Sequence, residues 1–395
     1  MNSLTVTAMT TVNPLGRGLA ATWDGLYQNR HGLRPNDFED AAIDTWIGRV
    51  DGLEKEPLEG NLADFDCRNN RLAVIALRQD GFEQAVARAR TKYGADRIGV
   101  LVGTTTSGIL ETEMAYRQRG SRNGNLPPTL RYRCTQNVFS VSDVARRHLC
   151  LNGPAASVST ACSSSAKVFA SASRWIEAGL CDAVVTGGVD SLCLMTLYGF
   201  SSLGLLSDMP CRPCDVHRNG LSIGEAAGFA LLERTHEADG DIVFLGYGES
   251  TDAYHMSTPH PEGTGAAAAM QQALQCAGLT PRDIDYVNMH GTGTQANDRA
   301  EDQAIERTFG KRTPCSSTKG GTGHTLGAAG IVEAILTIFC LRYGLLPGII
   351  HTRQLDPDFR SRILLQSERR PVRFAMSNSF GFGGNNCSLI FGRTG

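Results

Sequence analysis

Short apolar runs alternate with amphipathic segments along the first half of the chain. Leu4–Val12 alternates apolar and polar residues, which predicts a strand. Arg97–Gly103 and Ala183–Gly188 are apolar runs that end in glycine, which is typical of buried strands. Between them, Val158–Gly179 has the pattern of a strand end, a turn and a helix, with Gly179 where a C-terminal cap belongs. This alternation favours the α/β class.

The same alternation starts again in the second half of the chain. Ile242–Tyr247 and Ile284–Met289 have the pattern of strands. Gly265–Ala277 predicts an alanine-rich helix, and Ile331–Tyr343 predicts an apolar helix. The second half therefore predicts its own set of strands and helices.

The two halves also end alike. Gly220–Glu233 closes one half and Ser379–Gly392 closes the other, and each is a glycine-rich turn that runs into an apolar strand. We interpret this as a degenerate internal duplication, with one half at residues 1–238 and the other at 239–395. A chance resemblance of glycine-rich turns is the alternative that the pattern leaves open.

Composition narrows the classes of partner. The formal net charge of −2 over 395 residues gives no overall field that would attract nucleic acid. The N-terminus lacks the pattern of a signal peptide, and no run reaches the roughly 18 uninterrupted apolar residues of a membrane helix. The 12 cysteines are scattered through a chain too large to need disulfides, so we expect reduced thiols in the cytoplasm and no membrane association.

Two short motifs resemble sites but lack the necessary context. Cys211 and Cys214 form a C-x-x-C with His217 close behind, without the second ligand pair of a zinc site, and we interpret them as structural. Ser222 lies in a literal G-x-S-x-G, but polar residues precede it and a strand-like segment follows, which argues against a serine hydrolase. The glycine-rich loops also lack the order of phosphate-binding loops.

Cys162 stands where small residues lead into a helix, in the stretch TACSSSAKV. A cysteine at a helix N-terminus faces unpaired backbone N–H groups and the positive end of the helix dipole. Both favour the thiolate, which is the nucleophile, and the N–H of Cys162 would serve as an oxyanion donor. A buried, inert cysteine is the alternative that the local sequence leaves open.

Two glycine-rich loops carry further residues of a catalytic type. His290 follows an apolar strand in NMHGTGTQAND, and Lys319 and His324 lie in SSTKGGTGHTLGAAG. A single histidine is more often structural. Two histidines and a lysine in such loops, alongside a cysteine at a helix start, indicate a site.

Five motifs, taken in order, resemble those of a known family. The motifs are TACSSSAKV, RPCDVHRNGLSIGEAAG, HGTGTQAND, KGGTGHTLGAAG and NSFGFGGNN. Their order and spacing resemble those of the 3-oxoacyl-[acyl-carrier-protein] synthases. The resemblance is closer to the elongating ketoacyl synthases I and II and their polyketide relatives. The resemblance implies a thiolase-like duplicated fold in five αβαβα layers. It also implies a decarboxylating Claisen condensation of an acyl group on Cys162 with malonyl-acyl carrier protein, in fatty acid, polyketide or polyene synthesis.

The resemblance also assigns a catalytic set. Its members are Cys162, His290, Lys319, His324, Glu333 and Phe382. Cys162 resembles the acyl-accepting nucleophile, and the two histidines resemble the pair that handles malonyl decarboxylation. Lys319 resembles the lysine that organises them, with Glu333 as its acidic partner. Phe382 resembles the gating aromatic residue whose backbone N–H completes the oxyanion hole.

Substrate contacts and partners follow from the same resemblance. Thr292 and Thr294 resemble the threonines that hold the phosphopantetheine arm, and Phe380 and Thr106 are further expected substrate contacts. Thr104, Thr105 and Thr106 occupy the region that shapes the acyl pocket in this family. The implied partners are an acyl carrier protein and a second subunit, either identical or a cysteine-less paralogue. No metal or other cofactor is expected, because the substrates arrive on phosphopantetheine.

Acyl carrier proteins in such systems are acidic, so a local basic surface is expected. One candidate is Arg68 with Arg71, and the other comprises Arg117, Arg119, Arg122, Arg131 and Arg133. Ordinary solvated surface charge is the alternative for each arginine.

Two other functions fit the sequence less well than the synthase. A thiolase would need a second catalytic cysteine near GFGGNN, and Cys387 lies beside the last strand instead. A non-catalytic partner subunit would lack the nucleophile, whereas Cys162, His290 and His324 are all present.

Overall fold

The computed structural model describes residues 3–120, 124–235 and 241–394. Its strands are β1 (Leu4–Asn13), β2 (Gly16–Arg17), β3 (Leu33–Pro35), β4 (Trp46–Gly48), β5 (Ile98–Gly103), β6 (Ala155–Val158), β7 (Ala183–Asp190), β8 (Ile223–Gly224), β9 (Ala226–Arg234), β10 (Ile242–Thr251), β11 (Tyr286–Asn288), β12 (Pro314–Ser316), β13 (Leu345–Leu346), β14 (Arg362–Ile363), β15 (Glu368–Arg369), β16 (Phe374–Gly381) and β17 (Asn385–Arg393). Its α-helices are α1 (Leu19–Tyr27), α2 (Arg68–Leu77), α3 (Phe82–Tyr93), α4 (Ile109–Arg117), α5 (Ser140–His148), α6 (Ser164–Glu177), α7 (Leu194–Ser202), α8 (Thr264–Ala277), α9 (Gln295–Phe309), α10 (Lys319–Thr322) and α11 (Ala329–Tyr343).

Strand order confirms the internal duplication. The main strands form one continuous sheet, because β1 pairs with β10. Its first half, called the first sheet below, runs β1-β9-β7-β5-β6, and its second half, called the second sheet, runs β10-β17-β16-β11-β12. In both, the first two pairings are antiparallel and the next two are parallel. When the strands of each half are numbered along the chain, their order across the sheet is the same in both halves. Chance similarity of two glycine-rich turns would not produce this agreement. The boundary expected at 238/239 falls outside the described residues.

Helices separate and cover the two sheets. Helices α6 and α11 pack against each other and against strands of both sheets, which places them in a central layer. Helices α2, α3 and α5 cover the outer face of the first sheet, and α8 and α9 pack together on the outer face of the second. The resulting layers are αβαβα, as the sequence resemblance implied.

The central layer is possible because small residues meet there. A Cβ on Gly330, at the start of α11, would lie 2.5 Å from the backbone nitrogen of Ala166 in α6. A Cβ on Gly103, at the end of β5, would lie 2.4 Å from the backbone nitrogen of Ser165. The small residues of CSSSA and LGAAG therefore let two helices and a sheet approach closely at their N-terminal ends.

The strand predicted at Leu4–Val12 is confirmed as β1, and both faces of the sheet are covered there. Most residues of β1 are buried, polar ones included. The Thr10 hydroxyl, for example, donates to the Ala76 carbonyl oxygen at 2.8 Å. A buried threonine hydroxyl can form its hydrogen bond inside the fold, so the polar positions of β1 do not need to face solvent.

Helix α11 is apolar on all sides because sheets and helices surround it. The segment Leu326–Tyr343 is long and apolar enough to cross a membrane, but 89% of it is buried inside the fold. Such a segment is typical of a core helix. In α6, the predicted cap is confirmed, since Gly179 has a φ of 72° and its N–H donates to the Ile176 carbonyl oxygen at 3.1 Å.

Candidate active site

Loops at the carboxyl ends of β6, β11, β12 and β16 bring most of the predicted residues to one cavity. The predicted residues that line it are Cys162, His290, Thr292, Thr294, His324, Phe380 and Phe382. Lys319 and Glu333 lie behind the histidines, and Thr106 lies elsewhere. Residues from both halves of the duplicated fold therefore meet at one place.

Cys162 sits in a tight turn that the following serines hold. The turn requires Ala161 to adopt a φ of 50°, which residues other than glycine rarely adopt. The Ser163 hydroxyl donates to the Thr160 carbonyl oxygen at 2.8 Å, and the Ser164 hydroxyl donates to the Ala161 carbonyl oxygen at 2.6 Å. The serines that follow Cys162 thus stabilise the backbone that presents the thiol.

The thiol of Cys162 faces two imidazoles. The Sγ of Cys162 lies 2.9 Å from the Nε2 of His324. The rings of His290 and His324 are 5.2 Å apart, centroid to centroid, and nearly perpendicular at 84°. Within the described ranges, these three are the only group of His, Cys, Asp or Glu side chains with donor atoms close enough, within 4.8 Å, to hold a metal ion.

Lys319 fixes the protonation pattern of His290. Its buried ammonium donates to the His290 carbonyl oxygen at 2.6 Å, to a carboxylate oxygen of Glu333, and to His290 Nδ1 at 3.3 Å. An ammonium only donates, so Nδ1 of a neutral His290 accepts and its proton resides on Nε2. That Nε2–H belongs to a ring that lines the cavity, where it is a hydrogen-bond donor for a substrate oxygen.

Burial and the nearby lysine keep both imidazoles neutral. The pKa of His290 is held well below its ordinary value by burial, by Lys319 and by His324. The pKa of His324 is lowered in the same way by burial and by Lys319. Burial raises the pKa of Glu333 to about 7 against the pull of Lys319. Neutral donors beside a cationic lysine suit a site where negative charge develops on substrate.

The Cys162 thiol differs from the sequence prediction. Burial raises its pKa to about 12, although Lys319 and the backbone N–H of Phe382 pull it down. The helix start that was expected to favour the thiolate is outweighed because the sulfur is removed from water. The Nε2 of His324 lies within hydrogen-bond distance of this thiol, at 2.9 Å.

Two phenylalanines close one side of the cavity. The Phe382 ring stacks on Phe200 of α7, with ring centroids 5.4 Å apart. The backbone N–H of Phe382 points to the Cys162 sulfur, which is the position expected for an oxyanion donor. Phe200 was missed by the sequence analysis, because nothing in the pattern of LMTLYGFSS marks which aromatic residue turns inward.

Two buried acids in α9 were also missed. Glu301 accepts the backbone N–H groups of His290 at 2.8 Å and Gly291 at 2.7 Å. Asp298 accepts the N–H of Thr292 at 3.0 Å. An acid in the first turn of α9, Asp298, directly after a glycine-rich loop, with a second acid one turn later, was the signal that could have identified them.

The C-x-x-C segment is structural, as predicted, and the serine of the G-x-S-x-G segment makes a structural hydrogen bond to it. Cys211 and Cys214 are fully buried free thiols, and Cys211 Sγ donates to the Lys319 carbonyl oxygen at 3.2 Å. The Ser222 hydroxyl accepts the backbone N–H of Cys211 at 3.1 Å. Both segments thus support the loop that carries Lys319.

Two sequence expectations need correction. Thr104, Thr105 and Thr106 were expected to shape the acyl pocket, but their hydroxyls donate to Asp190 and they do not line the cavity. Arg68 was expected at a carrier-binding surface, but it is 5% exposed and paired with Glu225. Both expectations failed because sequence alone does not show that a polar side chain is satisfied inside the fold.

The remaining arginines differ in environment. Arg71 is bound to Asp66, Arg117 to Asp40 and Arg131 to Asp64. Arg119 and Arg133 are exposed, and Arg122 lies outside the described residues. The exposed members of the second cluster remain candidates for carrier binding.

Comparison with known proteins gives one consistent result. The family models described as the N-terminal and C-terminal domains of beta-ketoacyl synthase match residues 1–238 and 242–353. The 3-oxoacyl-[acyl-carrier-protein] synthase 2 of Staphylococcus aureus is 32% identical, over 98% of this chain and 100% of its own. A mitochondrial 3-oxoacyl-[acyl-carrier-protein] synthase of Arabidopsis thaliana is 33% identical over 98% of this chain and 92% of its own.

Solved structures agree. The fold matches the structure of the ketosynthase ApeO in complex with its chain length factor ApeC from Xenorhabdus doucetiae, with a TM-score of 0.90 and 39% identity over 100% of this chain and 98% of that one. The chain therefore belongs to the beta-ketoacyl synthase family, as the five motifs indicated. It is an enzyme of the acyltransferase class with the thiolase-like fold.

Proposed function

We propose that the protein condenses an acyl group held on Cys162 with malonyl-acyl carrier protein, releasing CO₂ and a 3-oxoacyl-acyl carrier protein. The observation that supports this most directly is the Cys162 Sγ 2.9 Å from His324 Nε2, with the His290 ring beside them. A nucleophile, a proton acceptor and a second donor thus surround one point in a buried cavity.

Acyl transfer comes first. Cys162 gives its proton to His324, and its sulfur attacks the thioester carbonyl of the acyl carrier. The oxyanion that forms is held by the backbone N–H groups of Cys162 and Phe382. Collapse of this intermediate breaks the bond to the carrier thiol, which leaves with the proton from His324.

Decarboxylation and condensation follow. The bond between the malonyl carboxylate and its neighbouring carbon breaks, and the electron pair moves towards the thioester oxygen. The Nε2–H of His290, which Lys319 orients, donates to that oxygen and stabilises the enolate. The enolate carbon then attacks the acyl-Cys162 carbonyl, and collapse expels the Cys162 thiolate, which takes up one proton from water.

Every electron pair in this sequence comes from substrate or from Cys162, so we expect no metal or other cofactor. Thr292 and Thr294 support the binding of the phosphopantetheine arm, because their hydroxyls lie 2.9 Å apart on the cavity wall beside Cys162. Free cysteines throughout the chain support a reducing compartment, and we expect the cytoplasm.

Two alternatives are less well supported. A thiolase would need a second thiol at the cavity, but Cys387 lies fully buried in β17 and does not line it. A silent partner subunit would not need Lys319 to hold His290, or His324 to face Cys162.

We further propose that the protein works beside a second ketosynthase-like chain. The ketosynthase ApeO was solved in complex with a chain length factor, which supports a cysteine-less partner. Strand β6 supports pairing, because it is the last strand of its half-sheet in the described residues and its second edge has no strand beside it.

Reconstitution tests the proposed reaction. Wild-type protein, incubated with an acyl-loaded carrier protein and malonyl-acyl carrier protein, should yield CO₂ and a 3-oxoacyl thioester two carbons longer than the starting acyl group. The Cys162→Ala variant should form no condensation product while remaining folded. Condensation at the wild-type rate by that variant would refute the proposal.

A further inference from the structure

The threonine triplet that the sequence analysis singled out is used inside the fold. Asp190, the last residue of β7, is fully buried. Its Oδ1 accepts the Thr104 hydroxyl at 2.8 Å and the backbone N–H of Thr105 at 2.7 Å. It also accepts the backbone N–H and the hydroxyl of Thr106, both at 2.9 Å.

The second carboxylate oxygen of Asp190 reaches the other half of the molecule. It accepts the backbone N–H of Gly327 at 2.6 Å. A Cβ on Gly327 would lie 2.8 Å from that oxygen and 3.1 Å from Thr105, so only glycine permits this contact. Asp190 therefore ties the loop after β5 to the segment that follows His324.

The segment that Asp190 holds is strained and short. Leu326 adopts a φ of 53°, which costs free energy and persists only where neighbours enforce it. Upstream, the backbone N–H of His324 donates to the Ser222 carbonyl oxygen at 2.7 Å, and its carbonyl oxygen accepts the N–H of Gly224 at 2.9 Å. His324 is thus fixed on one side by β8 and on the other, three residues later, by Asp190.

We propose that Asp190 is a positioning residue that, through Gly327, holds His324 Nε2 against the Cys162 thiol, with the threonine hydroxyls fixing the carboxylate. No contact of Asp190 with substrate is required. The inference rests on the proposed function, because it assigns Asp190 to the same pair of residues. It gives the threonine triplet a role in catalytic geometry instead of the acyl pocket.

Asp190 has two opposite effects on Cys162, and they can be separated. Its charge raises the pKa of the Cys162 thiol, so removing the charge alone should speed alkylation of the sulfur. Displacing His324, which accepts the thiol proton, should slow it. The sign of the change therefore reports which effect governs.

The test is a double-mutant cycle on Cys162 alkylation by iodoacetamide, with Asp190→Asn made in the wild type and in His324→Ala. Asn keeps the size of Asp190, but its amide N–H₂ cannot accept the Gly327 N–H. We expect Asp190→Asn to slow alkylation about tenfold in the wild type and not to slow it in His324→Ala. The matched control is Asp283→Asn, an exposed aspartate that also accepts from a threonine, Thr280.

Equal slowing of alkylation in both backgrounds, or no slowing in either, would overturn the proposal. Should Asp190→Asn not fold, the double variant Thr104→Val/Thr105→Val removes two donors and leaves the carboxylate in place. We expect it to slow alkylation about threefold, again only when His324 is present, and an unchanged rate would overturn the proposal. Alkylation needs no carrier substrate, so this result is independent of whether the wild type condenses acyl groups.

Discussion

At the scale of single residues, the site separates two tasks between its histidines. His324 touches the Cys162 sulfur, whereas His290 is held by Lys319 with its Nε2–H free for substrate. Burial keeps both rings neutral, and it also keeps Cys162 protonated. The resting site is thus a neutral thiol beside a neutral imidazole, and no ion pair of thiolate and imidazolium is stored.

The pH dependence of Cys162 alkylation tests this description. Because the pKa of the thiol is raised to about 12, the thiolate fraction should rise about tenfold per pH unit across the neutral and alkaline range. We expect the iodoacetamide rate to increase from pH 7 to pH 10 without a plateau. A plateau beginning below pH 8 would indicate a stored thiolate instead.

Replacing His290 separates the two half-reactions. His290→Ala removes the Nε2–H donor that Lys319 orients, so we expect decarboxylation of malonyl-acyl carrier protein to fall about 100-fold. Acyl transfer to Cys162 should change less than about threefold, because His324 accepts the thiol proton. His324→Ala serves as the comparison and should slow acyl transfer to Cys162 instead. Equal losses in both half-reactions of His290→Ala would contradict the assignment.

At the scale of elements, buried ionic contacts hold the loops and helices in place. The guanidinium of Arg68, at the start of α2, donates to Glu225 at 2.8 and 2.6 Å. Glu225 also accepts the backbone N–H groups of Val50 and Leu192, both at 2.9 Å. One buried carboxylate therefore joins three separate segments of the chain, and Arg68 provides its counter-charge.

Arg68→Ala should consequently behave as a stability variant. Removing the cation leaves Glu225 buried and unpaired, which we expect to lower the free energy of unfolding by about 3–5 kcal/mol. Arg119→Ala, at an exposed arginine, is the control and should change it by less than about 0.5 kcal/mol. Urea unfolding measures both. A loss below about 0.5 kcal/mol for Arg68→Ala would contradict the buried ion pair.

The sequence predicted the secondary-structure elements better than the environment of individual side chains. The strand, turn and helix around Cys162 were predictable because the spacing of apolar residues, the small residues and Gly179 all act on their neighbours in the sequence. The burial of Arg68 and the threonine triplet was not, because each depends on a carboxylate, Glu225 or Asp190, far away in the sequence. Phe200 was unpredictable for the same reason, since its partner Phe382 lies in the other half of the chain.

At the scale of the whole molecule, duplication creates the site. The turn before α6 supplies the thiol from the first half, and the loops before α9 and α11 supply the histidines and Lys319 from the second. The two-sheet arrangement also leaves β6 at an end of its half-sheet. Carbonyl oxygens of Pro154 and Val158 point inward to β5, so by alternation the N–H groups of Ala155 and Ser157 point outward.

The outward N–H of Ala155 allows a test of subunit pairing. Ala155→Pro removes that donor without touching the inward bonds, so it should weaken pairing with a second ketosynthase-like chain. Native mass spectrometry of the chain, alone and co-expressed with a candidate partner, measures the change. Ala155→Ser, which keeps the N–H, is the control and should pair normally. Unaltered pairing by Ala155→Pro would place the interface elsewhere.

The central claim is that Cys162 accepts the acyl group, and intact-protein mass spectrometry tests it most directly. Wild-type protein and Cys162→Ala are each incubated with a panel of acyl-carrier thioesters. We predict that the wild type gains the mass of one acyl group, that peptide mapping locates it on Cys162, and that the variant gains none. An acyl adduct of the same mass on Cys162→Ala would contradict the account.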